Sequence, residues 1–252
     1  MSESLDRGLE VPELTAEEIQ ARVLHRDGLM LVIDKPAGLP VHRGPKGGAN
    51  LESSFDALRF GLSRPPVLAH RLDRDTSGCL VLGRHRKATA SLGLLFKHGK
   101  ISKTYWAVVE GGPAEDEGTI DMPLGRLNAE RGWWQKPDPE GQSAVTNWKV
   151  LGRGDGFCWL ALEPVTGRTH QLRVHAAAMG WPIVGDNIYG TQASLRRLRN
   201  EQYIPRIGEP RLHLHSREIV IPISRNKDPV RVAAPAPVHL HARLRVCGWN
   251  GE

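Results

Sequence analysis

At 252 residues, with hydrophobic side chains making up 40% of the total, the chain is long enough to bury a full core as one domain. Its 34 Lys and Arg against 28 Asp and Glu leave a net charge of +6, which favours a polyanionic partner but specifies no chemistry. Three widely spaced cysteines, Cys79, Cys158 and Cys247, exclude a Cys-x-x-Cys zinc pattern and a disulfide framework and fit a reducing cytosol.

The polar, acidic start Met1-Ser2-Glu3-Ser4-Leu5-Asp6 lacks the basic and apolar stretches of a secretory signal. No segment approaches the roughly 18 uninterrupted apolar residues of a membrane span. A soluble, cytoplasmic protein is expected.

Residues 1 to about 20 read as a tail, in which Thr15-Ala16-Glu17-Glu18 offers a capping box for one brief helix. The remainder, 21–252, is expected to be one catalytic domain. Val23–Arg26 and Leu29–Ile33 flank an Asp27-Gly28 turn as two strands, and Asp34-Lys35-Pro36-Ala37-Gly38-Leu39-Pro40 must then leave the sheet because proline cannot donate to a ladder. The glycine-rich stretch 43–49, carrying Arg43 and Lys46, is either a loop able to close over a phosphate backbone or a plain connector.

A turn-forming segment, His70-Arg71-Leu72-Asp73-Arg74-Asp75-Thr76-Ser77-Gly78, leads into the apolar strand Cys79–Leu82. Helical spacing follows over Lys87–His98, where the Leu and Phe positions are core and Gly99 is the C-terminal cap. Ile101 to Glu110 alternates as a strand. Gln142–Leu151 and Phe157–Leu162 form an antiparallel pair around 152–156. One further helix runs from about Thr169 to Met179, stopped by Gly180 and Pro182, and late strands fall near Leu212–Leu214 and Glu218–Ile223. Strands outnumber helices and hairpins dominate, so the class is α+β with a mostly antiparallel mixed sheet and flanking helices.

Three constellations carry chemistry. Asp73 stands between Arg71 and Arg74; a neighbouring guanidinium favours the charged form of a carboxylate, which can act as nucleophile or base. Asp75 is a turn cap. On the strand, alternation puts Lys103 and Tyr105 on one face, where a tyrosine can stack on a flipped base or assist proton loss through its phenol. In Thr166-Gly167-Arg168-Thr169-His170-Gln171-Leu172-Arg173, helical spacing directs Arg173 inward beside the small Ala177 and Ala178, and a partly buried Arg demands an anion. His170 and His175, five apart, face differently and do not suit a helical metal pair; they are hydrogen-bonding or RNA-facing groups.

The string His-Arg-Leu-Asp-x-x-Thr-Ser-Gly resembles the signature of the RluA family of RNA pseudouridine synthases. So do Lys-Pro-x-Gly at 35–38, Lys-x-Tyr at 103–105, the Arg173 element, Gly185–Gly190 and Arg211–Ser216, in the family's order. The resemblance implies that Asp73 is the catalytic residue, that Arg173 is its ionic partner and that Tyr105 lines the active site, while Asp186 and Tyr189 are structural. No N-terminal S4-type domain of the kind many relatives carry is expected.

The implied reaction breaks the N1–C1′ bond of a uridine, turns the uracil and joins C5 to C1′, with no atoms gained or lost. It needs no cofactor and no metal; whether Asp73 attacks C1′, adds to the ring or removes a ribose proton stays open. His70, Arg71, Lys103 and Arg168 are expected to bind substrate, with Arg71 filling the space a flipped base vacates. A stem-loop of transfer or ribosomal RNA is the expected partner, because loops lower the cost of flipping. The protein is expected to be a monomer. Arg43, Lys46, Lys100 and Arg131 could follow the RNA backbone. One of Trp133 and Trp134 is expected in the core and the other on the surface. The alternative is a non-catalytic RNA-binding or ribosome-assembly factor on the same fold. A glycoside hydrolase is disfavoured because Asp73 lacks the second carboxylate that chemistry needs.

Overall fold

The computed structural model describes residues 13–43, 48–127, 134–191, 212–224 and 226–251. Lys46, Arg131, Trp133, Arg211 and most of the expected N-terminal tail lie outside the described residues. Among the described residues the frame is one ten-stranded sheet. Its strands are β1 (Val23–Arg26), β2 (Met30–Lys35), β3 (Val67–Leu68), β4 (Ser77–Gly83), β5 (Ser102–Glu110), β6 (Glu117–Asp121), β9 (Val145–Gly154), β10 (Phe157–Pro164), β11 (Leu214–Ile221) and β12 (Val230–Ala233). The order is β1-β2-β4-β11-β5-β10-β9-β6, with β3 on β4 and β12 on β11. A small ribbon of β7 (Leu124–Arg126) and β8 (Gln135–Pro137) stands apart from it.

Every described strand pair is antiparallel except β4 with β11, which is parallel. That pair lies mid-sheet, where residues far apart in sequence meet. The α+β class and the mostly antiparallel mixed sheet expected from the sequence are therefore what the chain adopts.

Both faces of the sheet are covered. All seven residues of β4 are buried, which explains why its sequence is a continuous apolar run rather than an alternation. On one face, Met30, Val32, Val81 and Ile219 pack with Leu92 of α2 (Arg86–Lys97). Leu31, Ile33, Leu80, Leu82, Leu160 and Leu162 point to the other face, where α3 (Gln171–Ala178) adds Leu172. Each such side chain contributes about 1.5–3 kcal/mol by leaving water. Nearer the far edge, Leu240 and Leu244 of α4 (Val238–Val246) bury Val108 and Trp159.

Local chemistry sets the element ends. Asp27 Oδ1 accepts from the N–H of Leu29 and of Met30, closing the first hairpin. The β9–β10 turn is tighter than the expected 152–156: only Asp155 and Gly156 remain outside the strands, with φ of 50° and 76°, the pair of positive angles a two-residue hairpin needs. The Thr15–Glu18 capping box forms and starts α1 (Ala16–Ala21). Ile19 of that helix is wholly buried, so this part of the expected tail belongs to the body.

Other expectations need correction. The two late strands are one, β11, which runs through an irregularity between Ser216 and Glu218. Leu94 is exposed, so the α2 apolar stripe is not all core. Helix α3 starts only at Gln171, because His170 before it is left-handed. Of the alanines expected to allow close packing around Arg173, Ala177 is half-buried and Ala178 exposed.

Candidate active site

The segment joining β3 to β4 carries Asp73, and three anchors hold it. The first is Lys35 at the end of β2: fully buried, its Nζ donates to the carbonyls of Pro36, Arg74 and Thr76 at 2.8, 2.8 and 2.9 Å. Burial pushes this ammonium down to about 7, against the pull of Asp75 and Asp73. Three carbonyl acceptors match the three N–H bonds of the protonated form. The second anchor is Ser77, whose hydroxyl meets buried His215 Nδ1 at 2.9 Å.

Gly78 is the third. With φ of 102°, its Cα lies where an added Cβ would sit 2.2 Å from the Ser216 carbonyl, so only glycine lets β4 run against β11 here. Asp75, expected to cap the turn, instead pairs with Arg74 Nε at 3.0 Å.

Asp73 itself is only partly enclosed, with 23% of its side chain exposed. Arg173 Nη1 and His170 Nε2 each approach its Oδ2 at 3.7 Å. The closest approach of both groups is thus to one oxygen, Oδ2. Arg173 is buried as expected, yet its bidentate partner is not Asp73. Its Nε and Nη2 donate to Asp186 Oδ2 and Oδ1, both at 2.7 Å, and the N–H groups of Ile188 and Tyr189 also donate to Asp186 Oδ1. Burial would raise the Asp186 carboxyl, but these donors outweigh it and hold it below the ordinary range. Only the remaining nitrogen of Arg173 is left for Asp73. The fork is fixed by Asp186, and this is why the contact to Asp73 is long.

A cavity of about 710 Å³ opens beside Asp73, within the roughly 300–1,000 Å³ that small-ligand pockets occupy. It brings together His70, Arg71, Asp73, Lys103, Tyr105, Arg168 and Arg173, every position singled out as catalytic or substrate-binding, and adds His170. Their situations differ. Arg71 is exposed on the rim and also borders a second cavity of about 470 Å³ with Arg43, Arg74 and Asn187. Lys103 is half-buried, and burial lowers its ammonium. Arg168 is exposed and donates Nε to the Ser143 carbonyl at 2.9 Å.

Tyr105 is buried, and its phenol is pushed well above the ordinary range by that burial, with a Ser216 hydrogen bond only partly opposing it. A phenol so placed is protonated at neutral pH. His70 Nε2 accepts the Val81 N–H at 3.0 Å and its ring stacks on Phe96 at 4.2 Å. Burial takes the imidazole to about 3, so it is a neutral wall of the cavity that ties the segment to β4.

Sequence reasoning passed over several contributors. Lys35 was visible only as part of a short motif, with nothing to say that it reaches across to the Asp73 turn. Tyr189 accepts the Gln135 N–H at 3.0 Å and meets His170 Nδ1 at 2.9 Å, and its ring lies 5.3 Å from the Arg173 guanidinium. His175, left open as RNA-facing, is buried between Thr146 Oγ1 and the Met122 carbonyl at 2.9 and 3.0 Å. Trp134 is half-buried, while its neighbour Trp133 is not described. Among the described residues no group of three or more His, Cys, Asp or Glu could hold a metal ion, and no helix is long and apolar enough to cross a membrane.

Comparison with known proteins places this geometry in context. Residues 29–178, which contain Asp73, Tyr105 and Arg173, match the family model described as RNA pseudouridylate synthase. An uncharacterized RNA pseudouridine synthase of Zymomonas mobilis is 44% identical over 218 residues, covering 86% of this chain and 94% of its own. Another from Synechocystis is 34% identical, covering 93% of this chain and 72% of its own. Among solved structures, human RNA pseudouridylate synthase domain containing 4 superposes with a TM-score of 0.73 at 28% identity, covering 92% of this chain and 95% of that one.

Proposed function

The chain belongs to the RNA pseudouridylate synthase family and is an isomerase of uridine in RNA; from that premise we propose that Asp73 is its catalytic carboxylate and a stem-loop of transfer or ribosomal RNA its substrate. The observation that carries this reading is a single part-exposed carboxylate, Asp73, beside the buried Arg173 on a cavity that Lys103, Tyr105 and Arg168 also line.

A target uridine is swung out of its stack into the cavity, at a cost of a few kcal/mol that a loop lowers. Tyr105 offers a protonated, rigid face for the uracil, and Lys103 a donor for its carbonyl oxygens. Asp73 Oδ1 meets the nucleotide while Oδ2 stays held by Arg173 and His170. The N1–C1′ bond breaks, the uracil turns within the closed walls, C5 bonds to C1′, and the C5 proton leaves as N1 takes one up. Arg71 on the rim stacks into the gap left in the RNA. Beyond it, the second cavity with Arg43 and Arg74 takes the neighbouring backbone.

The test is tritium release from RNA labelled at uridine C5. The wild-type protein is expected to release it, and Asp73→Asn to lose turnover by roughly 10⁴-fold or more, as removal of a central reacting group does, while RNA binding persists. Turnover retained by Asp73→Asn would remove Asp73 from its role. Binding without release by the wild-type protein would leave it a binder on this fold.

A further inference from the structure

His170 is the strained point of the site. It is a non-glycine residue in the left-handed region, at φ 54° and ψ 15°, immediately before α3, and it is 91% buried. Such a backbone costs of order 1–3 kcal/mol and persists only where surrounding contacts over-determine it. The contacts here run through the two ring nitrogens: Nδ1 lies 2.9 Å from the Tyr189 hydroxyl and Nε2 lies 3.7 Å from Asp73 Oδ2.

The hydroxyl can set the tautomer. Tyr189 Oη accepts the Gln135 N–H at 3.0 Å and lies 2.9 Å from Nδ1, where its own proton can be donated. An Nδ1 that accepts leaves the proton of the neutral ring on Nε2, which is the nitrogen aimed at Asp73. Burial lowers the imidazole, with Arg173 adding to it and Asp73 opposing, so the neutral ring is the resting form. Tyr189 is itself set by the Asp186 turn, whose carboxylate takes the Tyr189 N–H at 3.0 Å.

We propose that His170 is a positioning residue for the isomerisation: Tyr189 holds its ring so that Nε2 faces Asp73 Oδ2 at 3.7 Å, longer than a hydrogen bond in the RNA-free site, and the contact shortens when RNA binds, turning the other carboxylate oxygen toward the nucleotide. Arg173 supplies charge to the same oxygen, and His170 supplies direction. The left-handed backbone is what lets the ring reach both Tyr189 and Asp73 from the residue just outside the helix.

The proposal rests on Asp73 being the reacting carboxylate, and the experiment separates the two. Full-length protein is assayed by tritium release at saturating and limiting RNA. His170→Gly keeps a residue at home in this backbone conformation and removes the ring. It is expected to lose roughly 10- to 100-fold in kcat, the scale of a misplaced reacting group, with KM nearly unchanged. Added imidazole is expected to restore part of the loss. Tyr189→Phe keeps the ring and removes the hydroxyl, and is expected to lose several-fold in kcat without response to imidazole.

A His170→Gly enzyme with wild-type kcat, or one whose loss imidazole does not relieve, overturns the proposal. If that variant does not fold, wild-type kcat in Tyr189→Phe overturns it alone. An active Asp73→Asn would instead remove the reading beneath it, whereas an inactive Asp73→Asn beside an unaffected His170→Gly removes this inference only.

Discussion

Two carboxylates share one arginine, and they are opposites. Asp186 is buried, takes both arms of the Arg173 fork at 2.7 Å and two backbone N–H groups besides. Asp73 is partly exposed and held only at 3.7 Å, by way of one oxygen. A buried carboxylate that accepts four hydrogen bonds serves as a fixture. An under-saturated one beside a cavity keeps its reactivity, and the fixture next door keeps the cation from collapsing onto it.

Breaking each carboxylate in turn tests the contrast. Asp186→Ala leaves the buried Arg173 charge without its bidentate partner, which is expected to cost about 3–5 kcal/mol of folding stability. Asp73→Asn loses only long contacts at a part-exposed site and is expected to shift stability by less than about 1 kcal/mol, despite abolishing turnover. Urea unfolding of both variants measures this. Similar losses in the two would mean that the pair is one structural network and that the distinction drawn here does not exist.

Acid sharpens the same comparison. His215, which anchors the Asp73 turn through Ser77, is taken by burial from 6.5 to about 4. The unfolded chain therefore binds a proton there that the folded one refuses, so this group's contribution to stability is complete above about pH 6.5 and falls as pH drops toward 4, by at most about 1.4 kcal/mol per pH unit. The Asp186 carboxyl is also shifted down, below 3.8, but because its charged form is held by donors, so its contribution is complete above about pH 3.8 and is lost as the pH falls through its lower folded value. Unfolding free energies between pH 6.5 and 4.5 are expected to fall less steeply for His215→Gln than for the wild type. Parallel slopes would show that His215 carries no such penalty.

The contrast also explains what was legible in the sequence. Asp73, Tyr105 and Arg173 stood out because their motifs are local strings, and the strand and helix periods around them were plain. The inward aim of Arg173 was readable from helical spacing, but its true bidentate partner was not, because Asp186 lies 13 residues on along a turn whose conformation no periodicity signals. Lys35 was hidden for the same reason: its acceptors are carbonyls, which every residue has. His170 was misjudged by treating it as helical, when its left-handed φ of 54° removes it from the helix face altogether. Elements such as the 3₁₀ turn at Leu51–Leu58 and helix α4 were missed, the latter because its five apolar residues alternate with four His and Arg, a strand period rather than a helical one.

The smallest effect is expected at the other cation beside Asp73. Arg71 is exposed where Arg173 is buried, and it borders both cavities. If it fills the gap left by the flipped base, its plane matters more than its charge, because a guanidinium stacks on bases and an ammonium does not. Arg71→Lys should then keep the salt dependence of RNA binding while lowering kcat/KM by roughly 5-fold, about 1 kcal/mol, the low end of a base-stacking contact. Arg71→Gln should show the same loss and also flatten the salt dependence by about one unit. A fully active Arg71→Lys beside a weakened Arg71→Gln would instead make Arg71 a phosphate contact, a rim charge with no part in flipping.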